Sequence, residues 1–107
     1  DFAVVVLNNA VQVHPDPAVT EQTARALNAV DLEEPERRIT ALSERLGFPA
    51  ILLTDPMRTT ARTKGVFYHG FANTSPGSGH WNALGHQTAG QLIARELCQQ
   101  NFHKIGN

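Results

Sequence analysis

The sequence is poor in several features that would announce a function. It holds one cysteine, Cys98, so no internal disulfide forms, and the helical periodicity around that residue predicts a buried, inert thiol. Positive charge has no surplus: nine Lys and Arg stand against ten Asp and Glu, for a formal net charge of −1. Nucleic-acid binders neutralise phosphates with a basic excess, so that partner class is excluded. Long apolar runs are missing too, since "FAVVVL" and "PAILL" fall far short of the roughly 20 residues that span a bilayer. No membrane span is expected. The five histidines (His14, His69, His80, His86 and His103) lack a converging spacing such as H-E-x-x-H, and "SPGSGH" lacks the phosphate-loop pattern. No metal or cofactor is expected. The chain also has no initial Met and no leader pattern; it opens at once on "DFAVVVLNN", which predicts a segment of a longer polypeptide.

What is present describes a globular α/β chain. Residues are 41% apolar and 18% charged, without internal repeats or a low-complexity linker, which fits one domain at most. Phe2 to Leu7 is a β-branched apolar run that suits a strand buried on both faces. In "HPDPAVTEQTARALNAV", Asp16 caps and Pro17 opens a helix over Pro17 to Ala29. Pro35 opens a second helix whose inward face carries Ile39, Leu42 and Leu46, and Gly47 stops it. "FPAILLTD" reads as a second buried strand ending at Asp55. A short helix or turn follows in "PMRTTARTKG", then an irregular aromatic segment, then a last helix from Asn82 to Gln100 with Leu84, Ile93 and Leu97 facing inward.

Strands alternating with helices predict parallel pairing through right-handed crossovers. Two such strands leave bare edges, so further strands are expected from an upstream part of the same domain, with an oligomer sharing a sheet as the alternative. In open parallel sheets, ligands bind beyond the carboxyl ends of the strands, where loops and helix N-termini converge. That rule selects Asn8, Asn9 and Gln12 after the first strand, Thr54 and Asp55 after the second, and the turn from Gly77 to Asn82 before the last helix. His80 lies on this rim.

The turn carries a resemblance. "GSGHWNALGHQTAGQLIARELC" is similar to the final motif of the SGNH hydrolases, the GDSL-type esterase superfamily, where D-G-H-W-N is followed by G-H and a helix of small residues. "DFAVVVLNNAVQVHPDP", "LEEPERRITALSERLGFPAILLTDPMR" and "FYHGFANT" resemble the strands and connections that precede that motif. The resemblance implies that residues 1–107 are the C-terminal half of a three-layer α/β/α, flavodoxin-like domain with parallel strands. It implies His80 as the catalytic base, with Ser78, Gly79, Trp81 and Asn82 shaping the turn and Gly85 and His86 matching the following "GH".

It further implies a serine esterase or deacetylase acting on small acyl esters, carbohydrate esters included, by way of an acyl-enzyme, and an extracytoplasmic setting shared by many members. The family's G-D-S nucleophile and oxyanion-hole residues belong upstream of anything in this chain. Its acid, two or three residues before the histidine, is replaced by Ser78 and Gly77. The imidazole is then oriented by a backbone carbonyl, Ser78 or a water, and Asp55 either reaches it across the rim or caps the helix that starts beside it. Ser43, Ser75 and Ser78 are the internal serines, and none sits at a strand-to-helix elbow. Two alternatives stay open: a non-catalytic binding or scaffold module, and an acyltransferase using the same dyad.

Overall fold

The computed structural model describes residues 2–100, which form four helices and a short parallel sheet. In chain order the elements are β1 (Val4–Val6), α1 (Pro17–Ala26), α2 (Glu34–Leu46), β2 (Ala50–Leu52), α3 (Thr54–Lys64) and α4 (Ala83–Gln99). β1 and β2 pair in parallel, with Val4 opposite Ala50, Val5 opposite Ile51 and Val6 opposite Leu52. The expected mixed α/β architecture is therefore present, with a two-stranded sheet among the described residues. Both strands are shorter than their apolar runs. Phe2 and Leu7 are 63% and 60% exposed, and Val4 to Val6 are half-buried rather than enclosed on both faces.

Local signals account for the helix ends. Asp16 Oδ1 accepts from the Ala18 amide at 2.9 Å and Pro17 follows it, so α1 starts where the cap places it. It stops three residues earlier than the sequence suggests, at Ala26. Asn28 adopts φ 53°, and the Ala29 amide reaches back to the Ala24 carbonyl at 2.9 Å, the 6→1 bond of a Schellman ending. α2 ends as expected on Gly47, at φ 75°. Leu46, expected to face inward, is 64% exposed as the last residue of that helix.

The core lies where β2, α3 and α4 meet the segment after α3. Val13, Ile51, Leu53, Met57, Ala61, Tyr68 and Ala89 form its buried cluster, with Trp81, Leu92, Ile93 and Leu97 packed against it. Leu84, expected inward, is 41% exposed. Cys98 is also exposed, which corrects the expectation of a buried thiol. The reason is helical phase: Ala89, Leu92, Ile93 and Leu97 occupy the core face, while Cys98 shares its stripe with exposed Gln91 and Ala94.

A buried polar knot ties the loop after β1 to the two middle helices. Gln12 Nε2 donates to Glu36 Oε1 at 2.8 Å, and the Thr54 hydroxyl donates to the same oxygen at 2.7 Å. Gln12 also donates to the Leu32 carbonyl. Glu36 Oε2 is the buried side-chain polar atom that lacks a partner among the described residues.

Candidate functional site

The turn that carries His80 is built from the backbone up. Asn82 caps α4, its Oδ1 accepting from the Gly85 amide at 2.9 Å, an interaction worth about 1 kcal/mol. The same side chain donates through Nδ2 to the Phe67 carbonyl at 2.8 Å, and the Asn82 amide donates to the Tyr68 carbonyl at 2.8 Å. Next to them His69 and Trp81 form an antiparallel bridge. The Gly70 amide donates to the His80 carbonyl at 3.0 Å and the Gly77 amide to the His69 carbonyl at 2.9 Å. The segment 70–80 is thus a loop closed at its base by backbone bonds. Gly79 has φ 81°, a conformation costly for any side chain with a Cβ, which explains a glycine immediately before the histidine.

His80, Gly79 and Trp81 line a depression of about 440 Å³ with Leu7, Asn8 and Asn9 from the carboxyl end of β1, together with His69 and His86. The sequence rule therefore brought Asn8, Asn9 and the turn together correctly. His80 is exposed, and its ring has no hydrogen-bond partner among the described residues. A larger groove elsewhere, against the outer face of α3 and α4, contains none of these groups.

Three of the predicted rim residues point elsewhere. Gln12 and Thr54 are absorbed by the Glu36 knot, and neither lines the depression. Asp55 does not orient His80 and does not cap α3, whose first residue follows Leu53 without a side-chain cap. Its carboxylate is 82% exposed and pairs with Arg58, which also pairs with Glu33. The cause is that α3 begins immediately at Thr54, which places Asp55 inside the first turn, favourable for the helix dipole and too late for a cap. Ser78 is exposed and makes no side-chain hydrogen bond among the described residues.

Asn8 is the hub of the floor. Its Oδ1 accepts from Trp81 Nε1 at 3.0 Å, while its Nδ2 lies 3.2 Å from the Met57 sulfur. Trp81 in turn meets His86 edge-on, ring centroids 5.5 Å apart. The residue missed by sequence reasoning is His69, which is 4% exposed. Its Nδ1 lies 2.9 Å from the Gly79 carbonyl and its Nε2 lies 3.2 Å from Asn8 Oδ1. The only available signal was its place in the aromatic run "VFYHG". His103 lies outside the described residues, and among those described no group of three or more His, Cys, Asp or Glu converges to hold a metal ion. No described helix is long and apolar enough to cross a membrane.

Burial pushes the pKa of His69 below the usual imidazole range; the bond to Gly79 opposes the shift and the neighbouring His80 adds to it. The folded state therefore favours the neutral ring more than the unfolded chain does. This contribution to stability is present above the unfolded histidine pKa, about 6.5, and is lost as pH falls below it. Thermal midpoints measured downward from pH 7 are expected to drop, with a smaller drop in His69→Gln, which has no ring to protonate. Equal pH slopes for the two proteins would contradict this assignment.

Compared with family models, curated proteins and solved structures, the chain matches none.

Proposed function

We propose that the protein is a serine ester hydrolase of the SGNH type, in which this chain contributes the histidine base. In this reading residues preceding Asp1 contribute the serine nucleophile, the oxyanion hole and the strands that complete the β1 and β2 sheet into a flavodoxin-like α/β/α domain. The observation that carries it is the placement of His80: an unpartnered, exposed ring on a braced turn, facing a depression at the carboxyl end of β1. A general base needs that combination of a free ring and a fixed backbone. His80 accepts the proton of the serine hydroxyl as its oxygen bonds to the ester carbonyl carbon, and returns that proton to the departing alcohol. Water, deprotonated by the same ring, then attacks the acyl carbon; the bond to the serine oxygen breaks, the acid departs and the ring returns the proton to the serine. Small acyl esters, with carbohydrate esters among them, are the proposed substrates.

One observation favours a second reading as a non-catalytic binding module. Among the described residues no carboxylate meets His80, and Ser78 stands where the motif would place one. Ser78→Asp in the full-length protein decides between them. In a working dyad the added charge favours the imidazolium that forms during proton transfer, so kcat/KM for an activated acetate ester is expected to rise about tenfold, roughly 1.4 kcal/mol. A folded Ser78→Asp protein that turns over no faster than its His80→Ala counterpart leaves the binding module standing.

A further inference from the structure

We propose that His69 is the positioning residue of this site, locking the His80 turn against the end of β1 through a fixed ring tautomer. The proposal rests on the reading of His80 as the base. Its geometry begins with donors and acceptors. The Gly79 carbonyl only accepts, so the His69 Nδ1 2.9 Å away must carry the proton to bond it. Asn8 is fixed independently: Trp81 Nε1 only donates, which places the amide oxygen of Asn8 toward it at 3.0 Å and the amide nitrogen toward Met57. His69 Nε2 also faces an acceptor, the same Asn8 oxygen, at the longer distance of 3.2 Å; Nδ1 has the shorter contact and an oxygen not shared with Trp81, so the single proton of the neutral ring is placed there. The neutral ring thus has one strong bond, and it goes to the residue immediately before His80.

The consequence for chemistry is positional. The His80 ring has no partner of its own among the described residues, so its location follows from its backbone. That backbone is held by the Gly70 amide on one side and by the His69 ring on Gly79 on the other. Gly79 lies in the left-handed region without any neighbour close to its open face, so removal of the His69 bond frees the turn to move. A shift of about 1 Å in a reacting group is enough to lower turnover about a hundredfold. The titratable groups that bear on His69 are His80, which faces it across the turn, and His86, which meets the same Trp81 from α4.

The test uses the full-length protein and variants that separate the two ring nitrogens. The side-chain nitrogen of asparagine takes the place of Nδ1, whereas that of glutamine takes the place of Nε2. His69→Asn is expected to keep kcat within about threefold of wild type, and His69→Gln and His69→Ala to lose it ten- to a hundredfold with KM nearly unchanged. Long-range 15N–1H spectra of the wild-type protein at pH 7.5 should show the His69 proton on Nδ1, with Gly79 and His80 amide resonances displaced in His69→Gln. A proton on Nε2, an unaltered His80 environment in folded His69→Gln, or an asparagine variant no better than alanine would each overturn the proposal. The spectra need neither substrate nor a stable variant for the tautomer, so they judge His69 even if wild-type protein proves inert toward an activated acetate ester, a result that would count against the hydrolase reading alone.

Discussion

His80→Ala in the full-length protein is expected to reduce turnover of an activated acetate ester by about 10²- to 10⁴-fold, the range associated with a general base, while leaving the thermal midpoint within about 1 °C. Both halves follow from where the residue sits. Its ring is exposed and makes no hydrogen bond among the described residues, so truncation at Cβ removes little packing. Its structural contribution is the backbone carbonyl that accepts from Gly70, and alanine supplies the same carbonyl. The loss is therefore chemical rather than conformational. In the proposed hydrolase, with no acid beside it, His80 would act in a dyad whose imidazolium lacks a carboxylate, and the residual rate left by alanine would come from the oxyanion hole and substrate binding. Steady-state kinetics with circular dichroism on both proteins checks the prediction. Equal turnover by wild type and His80→Ala would remove His80 from the chemistry and leave the turn as a binding surface.

The elements of this fold were legible where a single residue carries a local, backbone-level instruction. Asp16 with Pro17 starts α1, Gly47 ends α2, Asn82 starts α4, and the apolar runs mark β1 and β2 as parallel neighbours. The rim rule then placed Asn8, Asn9 and the turn around one depression. What escaped was everything decided by side-chain direction across distant segments. Asn8 and Trp81 are 73 positions apart, and His69 reaches both Asn8 and Gly79, contacts that no periodicity encodes. Gln12 and Thr54 read as rim residues because the rule sees only strand ends; the buried carboxylate of Glu36, an ordinary helix residue by pattern, draws both inward. Cys98 and Leu84 were misjudged for a related reason. Apolar character names a residue suited to burial, while the phase of α4 against its neighbours selects the face that receives it.

Gly85→Ala is expected to destabilise the protein by about 1–3 kcal/mol, whereas Gly90→Ala in the same helix should stabilise it by up to about 1 kcal/mol. In both cases alanine improves helix propensity, so the difference isolates packing. A Cβ on Gly85 would lie 2.4 Å from the Tyr68 carbonyl oxygen and 3.0 Å from the Trp81 Cβ, whereas one on Gly90 meets nothing within 4 Å. The Tyr68 carbonyl cannot rotate aside, because it already accepts from the Asn82 amide at 2.8 Å. Relief requires the start of α4 to back away from the segment 67–69, and that motion strains the Asn82 bonds to Phe67 and Tyr68 together with the Trp81 bond to Asn8. The His80 turn moves with them, so Gly85→Ala should lower both the unfolding free energy and any ester turnover, while Gly90→Ala lowers neither. Urea titrations of the two variants beside wild type measure the first effect. If Gly85→Ala unfolds at the same urea concentration as Gly90→Ala, α4 does not approach Tyr68 as closely as the geometry requires, and the bracing assigned to the His80 turn fails with it.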